Sequence, residues 1–129
     1  MSTIHLASTT DLYRHEVSVR QFSLTADEPT DLGGSDAGPT PTELVFAGLG
    51  ACKAITLKMY AARKQRPLEA VEADIETQQI NRRYQIMVKL KLVGDLSAEQ
   101  IERLLEISNK CPVHKLLAES TDIETVLVS

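Results

Sequence analysis

Cysteine is scarce in this chain: there are two among 129 residues, Cys52 and Cys111. They stand far apart and form no Cys-x-x-Cys motif, which removes the usual basis for a disulfide reductase or thiol regulator. Long apolar runs are also missing. No stretch reaches the roughly 18 consecutive apolar residues of a membrane-spanning helix, so no membrane association is expected. The opening Met1-Ser2-Thr3-Ile4-His5 lacks a basic segment followed by an apolar one, so the expectation is no secretory signal and a cytoplasmic location. Cytoplasmic thiols are normally reduced, which would make any disulfide here transient or catalytic. Positive charge is not in excess. A net charge of -4 argues against nucleic acid or an anionic membrane as the main partner. The glycine-rich Gly33-Gly34-Ser35-Asp36-Ala37-Gly38 lacks the Gly-Lys-Ser/Thr ending of a P-loop and reads as a flexible lead-in. There is no Gly-x-Ser-x-Gly to support hydrolase chemistry. Cys111 and His114 have the spacing of half a zinc site, but no other cysteine or histidine cluster completes it. No metal and no cofactor is expected. His5 and His15 read as surface positions on strands, and Arg82 and Arg83 as solvated turn charges.

What is present fits one α+β domain over residues 1–129. With 43% apolar and 25% charged residues the chain can bury a core and stay wet outside. Short alternating runs at Thr3 to Ala7, Tyr13 to Val19 and Phe22 to Ala26 predict strands, with Arg20 and Gln21 turning the second into the third. The Gly-, Pro- and Asp-rich stretch from Glu28 to Pro41 predicts a loop. A helix follows, capped by Thr40 or Thr42, with Glu43 in its first turn, running to about Lys64 before Pro67. From Leu44 to Ile55 its one charge is Lys53. A helix apolar on all sides belongs in a core or at a subunit interface. Gly48 and Gly50 each cost it about 1 kcal/mol of propensity, which close approach of another backbone would offset. Leu68 to Thr77 alternates acids with apolar residues and Tyr84 to Val93 alternates lysines with them, so the two predict a pair with complementary outer faces. Ser97 and Gln100 form a capping box for a helix with Ile101, Leu104, Leu105 and Ser108 on one face. A short helix from Pro112 to about Glu119 and a final strand from Thr121 to Val128 complete the chain.

The cysteines sit in different settings. Cys52 lies well inside the long helix, where the helix dipole gives little help, so a reactive thiolate there needs a cation from elsewhere. Val45, Gly48, Leu49, Ile55, Thr56 and Met59 share its face and would make an apolar pocket suited to an alkyl group. Cys111 precedes Pro112, which fits the first position of a helix. That puts Cys111 near the N-cap, where the local backbone favours a lowered thiol pKa. His114 reads as an ordinary polar helix position.

Gly38-Pro39-Thr40-Pro41-Thr42-Glu43-Leu44, Ala47-Gly48-Leu49-Gly50-Ala51-Cys52 and Lys110-Cys111-Pro112-Val113-His114 together resemble the OsmC/Ohr family of osmotically inducible and organic hydroperoxide resistance proteins. The order of expected elements matches over nearly the whole chain. The resemblance implies an α+β fold of antiparallel sheets with a long, central, buried helix, in which two chains intertwine as a homodimer. It also implies a thiol peroxidase. Cys52 would attack the distal peroxide oxygen and become a sulfenic acid, and Cys111 would condense with it to a disulfide. A dithiol reductant, a lipoyl protein or a small thiol, would then reopen the disulfide.

The family's activating arginine falls on Arg14, with Arg20 as second choice. Its partner glutamate falls on Thr42, a departure from the family pattern. Glu43 is one residue later. Nine residues before Cys52, at about 100° per residue, it lies on the opposite helix face. The chain therefore resembles the OsmC-like branch more than the true organic hydroperoxide resistance proteins. The leading expectation is a cytoplasmic, homodimeric, cofactor-free peroxidase for organic hydroperoxides, using Cys52, Cys111, Arg14 and Glu43. The alternative is a non-catalytic module that holds a small apolar ligand at the dimer interface.

Overall fold

The computed structural model describes residues 3–119 and 121–128. Two compact units divide within the long helix, one through Phe46 and one from Ala47 onward.

The first unit begins with an antiparallel meander of β1 (Ile4–Ser8), β2 (His15–Val19) and β3 (Phe22–Ala26). Arg20 and Gln21 make the two-residue reversal, with Arg20 at φ 52°. Ile4 pairs with Val19, which pairs with Phe22, and Leu6, Val17 and Leu24 align in the same way. This register gathers the apolar side chains on one sheet face, where Ile4, Leu6, Phe22 and Leu24 are all exposed.

The glycine-rich lead-in that follows is pinned rather than loose. Asp27 is buried at the end of β3. Its carboxylate accepts from the backbone N–H of Glu28 at 2.7 Å, Ala37 at 3.1 Å and Ser35 at 3.3 Å. Burial alone would raise its pKa. The N–H groups of Ala37, Glu28 and Ser35, and then the Arg14 charge, outweigh that and hold it below the ordinary carboxylate value. A 3-10 turn at Thr30–Leu32 lies inside this loop.

Helix α1 (Pro41–Arg63) starts at a capping box. The Glu43 N–H donates to Thr40 Oγ1 at 3.1 Å, and Glu43 Oε1 accepts from the Thr40 N–H at 2.8 Å. Thr40 is thus the cap, with Pro41 in the first turn, where its missing N–H costs nothing. The helix is long and apolar enough to cross a membrane by length and composition. Its buried residues nonetheless form one stripe: Leu49, Gly50, Lys53, Leu57, Tyr60 and Ala61. The expectation of burial on all sides is therefore not met within one chain, because Ile55 and Met59 stay exposed. Of the two helical glycines, Gly50 meets a neighbour. A Cβ there would come 2.7 Å from Ile75 Cδ1, while open space surrounds Gly48.

In the second unit β4 (Leu68–Ile80) pairs antiparallel with β5 (Arg83–Gly94). Asn81 at φ 53° and Arg82 at φ 66° make the mirror-image two-residue turn that suits strand twist. The expected acid–lysine complementarity is realised. Glu72 pairs with Lys91 and Asp74 with Lys89, and Lys89 Nζ reaches Glu76 Oε2 at 2.6 Å. Helix α2 (Ala98–Ser108) carries the Ser97–Gln100 capping box with both hydrogen bonds present. Its buried stripe is Leu104, Ile107 and Ser108. Ile101 and Leu105 are exposed, a rotation from the expected face. Leu57, Tyr60, Ala61, Leu68, Leu104 and Ile107 form the core, with Val71, Leu90, Leu92 and Leu96 packed against it.

Helix α3 (Pro112–Ala118) follows with Cys111 as its N-cap. The expected final strand does not form: residues 121–128 have no strand pairing. Ile123, Val126, Leu127 and Val128 are highly exposed there. Alternation supplies strand propensity, but a strand also needs a ladder partner.

Candidate active site

Helix α1 places Cys52 half-buried on its flank, and the cap of α3 places Cys111 fully out of solvent. The Cys111 Sγ accepts from the backbone N–H of His114 at 3.3 Å, the N-cap geometry that Pro112 favours. The two thiols adjoin and interact through their side chains. Sequence reasoning placed Cys111 at a helix start and expected a lowered pKa; the placement holds, but the direction is reversed. Burial is the largest influence and pushes the Cys111 thiol up. The His114 N–H pulls it down, hydrogen bonding and charge from Cys52 push it up again, and the Lys53 ammonium opposes them.

Lys53 is the residue that sequence reasoning passed over. It is 3% exposed and is the one buried cation among the described residues. Its Nζ donates to the Ser108 carbonyl at 2.8 Å and to Asn109 Oδ1 at 3.4 Å, and lies 2.9 Å from His114 Nδ1. Burial lowers its pKa, while the charges of Cys111 and Cys52 raise it. The signal was available. An apolar helix with one charge, directly beside its one cysteine, marks that charge as partnered, since an unpaired buried ammonium is costly. His114 is likewise more than a surface polar residue. Burial and then the Lys53 charge hold its pKa down, with a smaller opposing pull from Glu119.

Arg14 and Glu43 lie in the first unit. The Arg14 Nε donates to Glu16 Oε1 at 3.0 Å, and Nη1 lies 3.6 Å from Asp11 Oδ2. These are its ion-pair partners among the described residues. Glu43 is engaged in the capping box with Thr40. Arg20 lies over the Phe22 ring at 5.0 Å. The structure thus brings Cys52, Cys111, Lys53 and His114 together and gives Arg14 and Glu43 separate local partners.

Beside the Lys53 cluster opens a cavity of about 480 Å³. Leu49, Ile86, Val88 and Leu117 give it apolar walls, with Arg83 and His114 among its polar lining. The expected alkyl pocket on the Cys52 face is divided, because Ile55 and Met59 line a different, shallow groove.

The family described as OsmC-like protein is matched over residues 33–126, more than half of the chain, and the chain belongs to that family. Solved structures agree with this fold. An OsmC-like protein from Mycoplasma pneumoniae superposes with a TM-score of 0.78 at 19% identity, over 91% of this chain and 86% of that one. An organic hydroperoxide resistance protein OsmC from Legionella pneumophila gives 0.67 at 18% identity, over 92% and 89%. An organic hydroperoxide resistance protein from Elizabethkingia anophelis gives 0.66 at 20% identity, over 92% and 88%. No curated protein is similar enough in sequence to count as a match.

Proposed function

We propose that this protein is a cytoplasmic, homodimeric thiol peroxidase for organic hydroperoxides. The observation that carries this reading is the meeting of two cysteines distant in sequence, one on α1 and one capping α3, beside a buried lysine. The names of two structural neighbours, both organic hydroperoxide resistance proteins, support the substrate class.

Cys52 attacks the distal oxygen of the hydroperoxide as the thiolate. The S–O bond forms as the O–O bond breaks, and the alkoxide leaves as the alcohol after taking up a proton. Cys52 is left as a sulfenic acid. Cys111 then forms the disulfide and releases water, and a dithiol reductant restores both thiols by exchange. The cavity beside Lys53, of mixed polar and apolar lining and not itself lined by either cysteine, is the candidate place for the organic half of the substrate, against Leu49, Ile86, Val88 and Leu117. Arg14 serves as the activating cation for Cys52, by resemblance to the family. Glu43 takes a supporting role at the start of α1.

The homodimer is supported by the exposed apolar face of the β1–β3 sheet and by exposed Ile55 and Met59 on α1, which are unusual surfaces for a chain that works alone. Stopped-flow mixing of reduced protein with an organic hydroperoxide tests the reading. Rapid peroxide consumption that disappears in Cys52→Ser supports it. Equal inertness of wild type and Cys52→Ser removes it.

A further inference from the structure

Cys111 has a neighbour on each side in sequence that is tied to α1 by one side chain. Ser108 is the last residue of α2 and Asn109 is its C-cap, and both accept from the Lys53 Nζ. His114 lies in the first turn of α3 and meets the same nitrogen. Lys53 is the direct chain neighbour of Cys52. A single ammonium therefore links the helix that carries one thiol to the two segments that bracket the other. Its acceptors suit a cation: a carbonyl at a helix C-terminus, where the dipole favours positive charge, an amide oxygen and an imidazole lone pair.

An apolar residue could join α1 to α2 without taking a charge out of water, and often at no loss of stability. A buried ammonium in that place is explained by what stands next to it. Its charge opposes the effect of burial on Cys111.

We propose that Lys53 is the positioning residue of the disulfide-closing step, holding Cys111 against Cys52 and supplying the positive charge against which the Cys111 sulfur gives up its proton. This rests on the peroxidase reading for its biological setting, but its chemistry can be tested separately. In the closing step the Cys111 thiol loses its proton and its sulfur attacks the sulfenic sulfur of Cys52. The S–S bond forms, the S–O bond breaks, and the departing hydroxide leaves as water with that proton. The Cys52 sulfur is reduced and the Cys111 sulfur oxidised, so no further redox partner is required. Lys53 is unchanged at the end.

The experiment follows the two steps separately in wild type, Lys53→Met, Lys53→Gln and Lys53→Arg. Peroxide loss reports the first, and the yield of Cys52–Cys111 disulfide against dimedone-trapped Cys52 reports the second. A second arm loads Cys52 with an aromatic disulfide reagent, dithiobisnitrobenzoate, and times the release of the second aromatic thiolate as Cys111 closes the ring. Loss of a charge-assisted contact is expected to slow closure about ten- to a hundredfold in Lys53→Met and Lys53→Gln. The first step should change little, dimedone-trappable Cys52 should accumulate, and Lys53→Arg should recover most of the closure rate. Glutamine retains a hydrogen-bond donor without the charge, so it separates the two roles and serves if Lys53→Met fails to fold. In a Cys111→Ser background, Lys53→Gln should add nothing to either readout. Closure at the wild-type rate in Lys53→Gln, or slowing of peroxide loss by Lys53→Gln as large as its slowing of closure and still present in the Cys111→Ser background, overturns the proposal. Inertness of wild type to hydroperoxide would count against the peroxidase reading alone, and the aromatic disulfide arm would still decide the role of Lys53.

Discussion

The Nζ of Lys53 lies 2.9 Å from the Nδ1 of His114. With two other N–H groups of the ammonium given to Ser108 and Asn109, the third meets the imidazole lone pair. His114 is then neutral, with its own proton on Nε2.

This arrangement has a pH signature. Burial first, and then the Lys53 charge, hold His114 below its ordinary value of 6.5, against the smaller pull of Glu119. A histidine whose folded pKa is depressed contributes stability that is present above its unfolded value and is lost as pH falls through the folded one. Wild-type melting temperature is therefore expected to fall as the solution is taken from about pH 7 to about pH 5. His114→Asn keeps an acceptor near the Nδ1 position but does not titrate, so its melting temperature should fall less over the same range. Parallel slopes for the two proteins would contradict the neutral-imidazole assignment.

Gly50 tests the packing of α1 on β4. A Cβ at this position would approach Ile75 Cδ1 to 2.7 Å. Gly50→Val is expected to lower stability by about 1–3 kcal/mol through overpacking. Shortening the neighbour in a Gly50→Val, Ile75→Val double variant should recover part of that loss. Denaturant titration of the four proteins in this cycle measures the coupling. Strict additivity would mean that the two side chains do not share the space.

The exposed apolar side of α1 makes a prediction about assembly. Met59 is 67% exposed, and Ile55 beside it is also uncovered. Light scattering should give the wild type twice the chain mass of 14.2 kDa. Met59→Asp should shift the population toward the single chain at the same concentration. A wild type of single-chain mass would contradict the proposed homodimer.

Much of the fold was legible because its signals are local. The Ser97–Gln100 box, the reversal at Arg20 and Gln21, and the acid–lysine strand pair each lie within a few residues or one hairpin, and each appears as read. The failures share a different cause. Residues 121–128 alternate like a strand, but pairing depends on a partner that alternation does not reveal. The α2 stripe settled on Leu104, Ile107 and Ser108 because the core selects one face from several apolar positions. At the site, both cysteines were evident from sequence. The pKa direction of Cys111 was not, because helix-end geometry is local whereas the burial that overrides it comes from tertiary packing. Lys53 was read only as an isolated charge, since its acceptors lie on α2 and α3, far along the chain.

The account turns on a bond between two sulfurs, so peptide mapping measures it most directly. Reduced protein is treated with one equivalent of cumene hydroperoxide, free thiols are alkylated, and the unreduced digest is read by mass spectrometry. The prediction is a peptide pair joined through Cys52 and Cys111 within one chain, absent before oxidation and from Cys52→Ser. Two alkylated cysteines after exposure to the peroxide, with no linked pair and no oxidised Cys52, would contradict it.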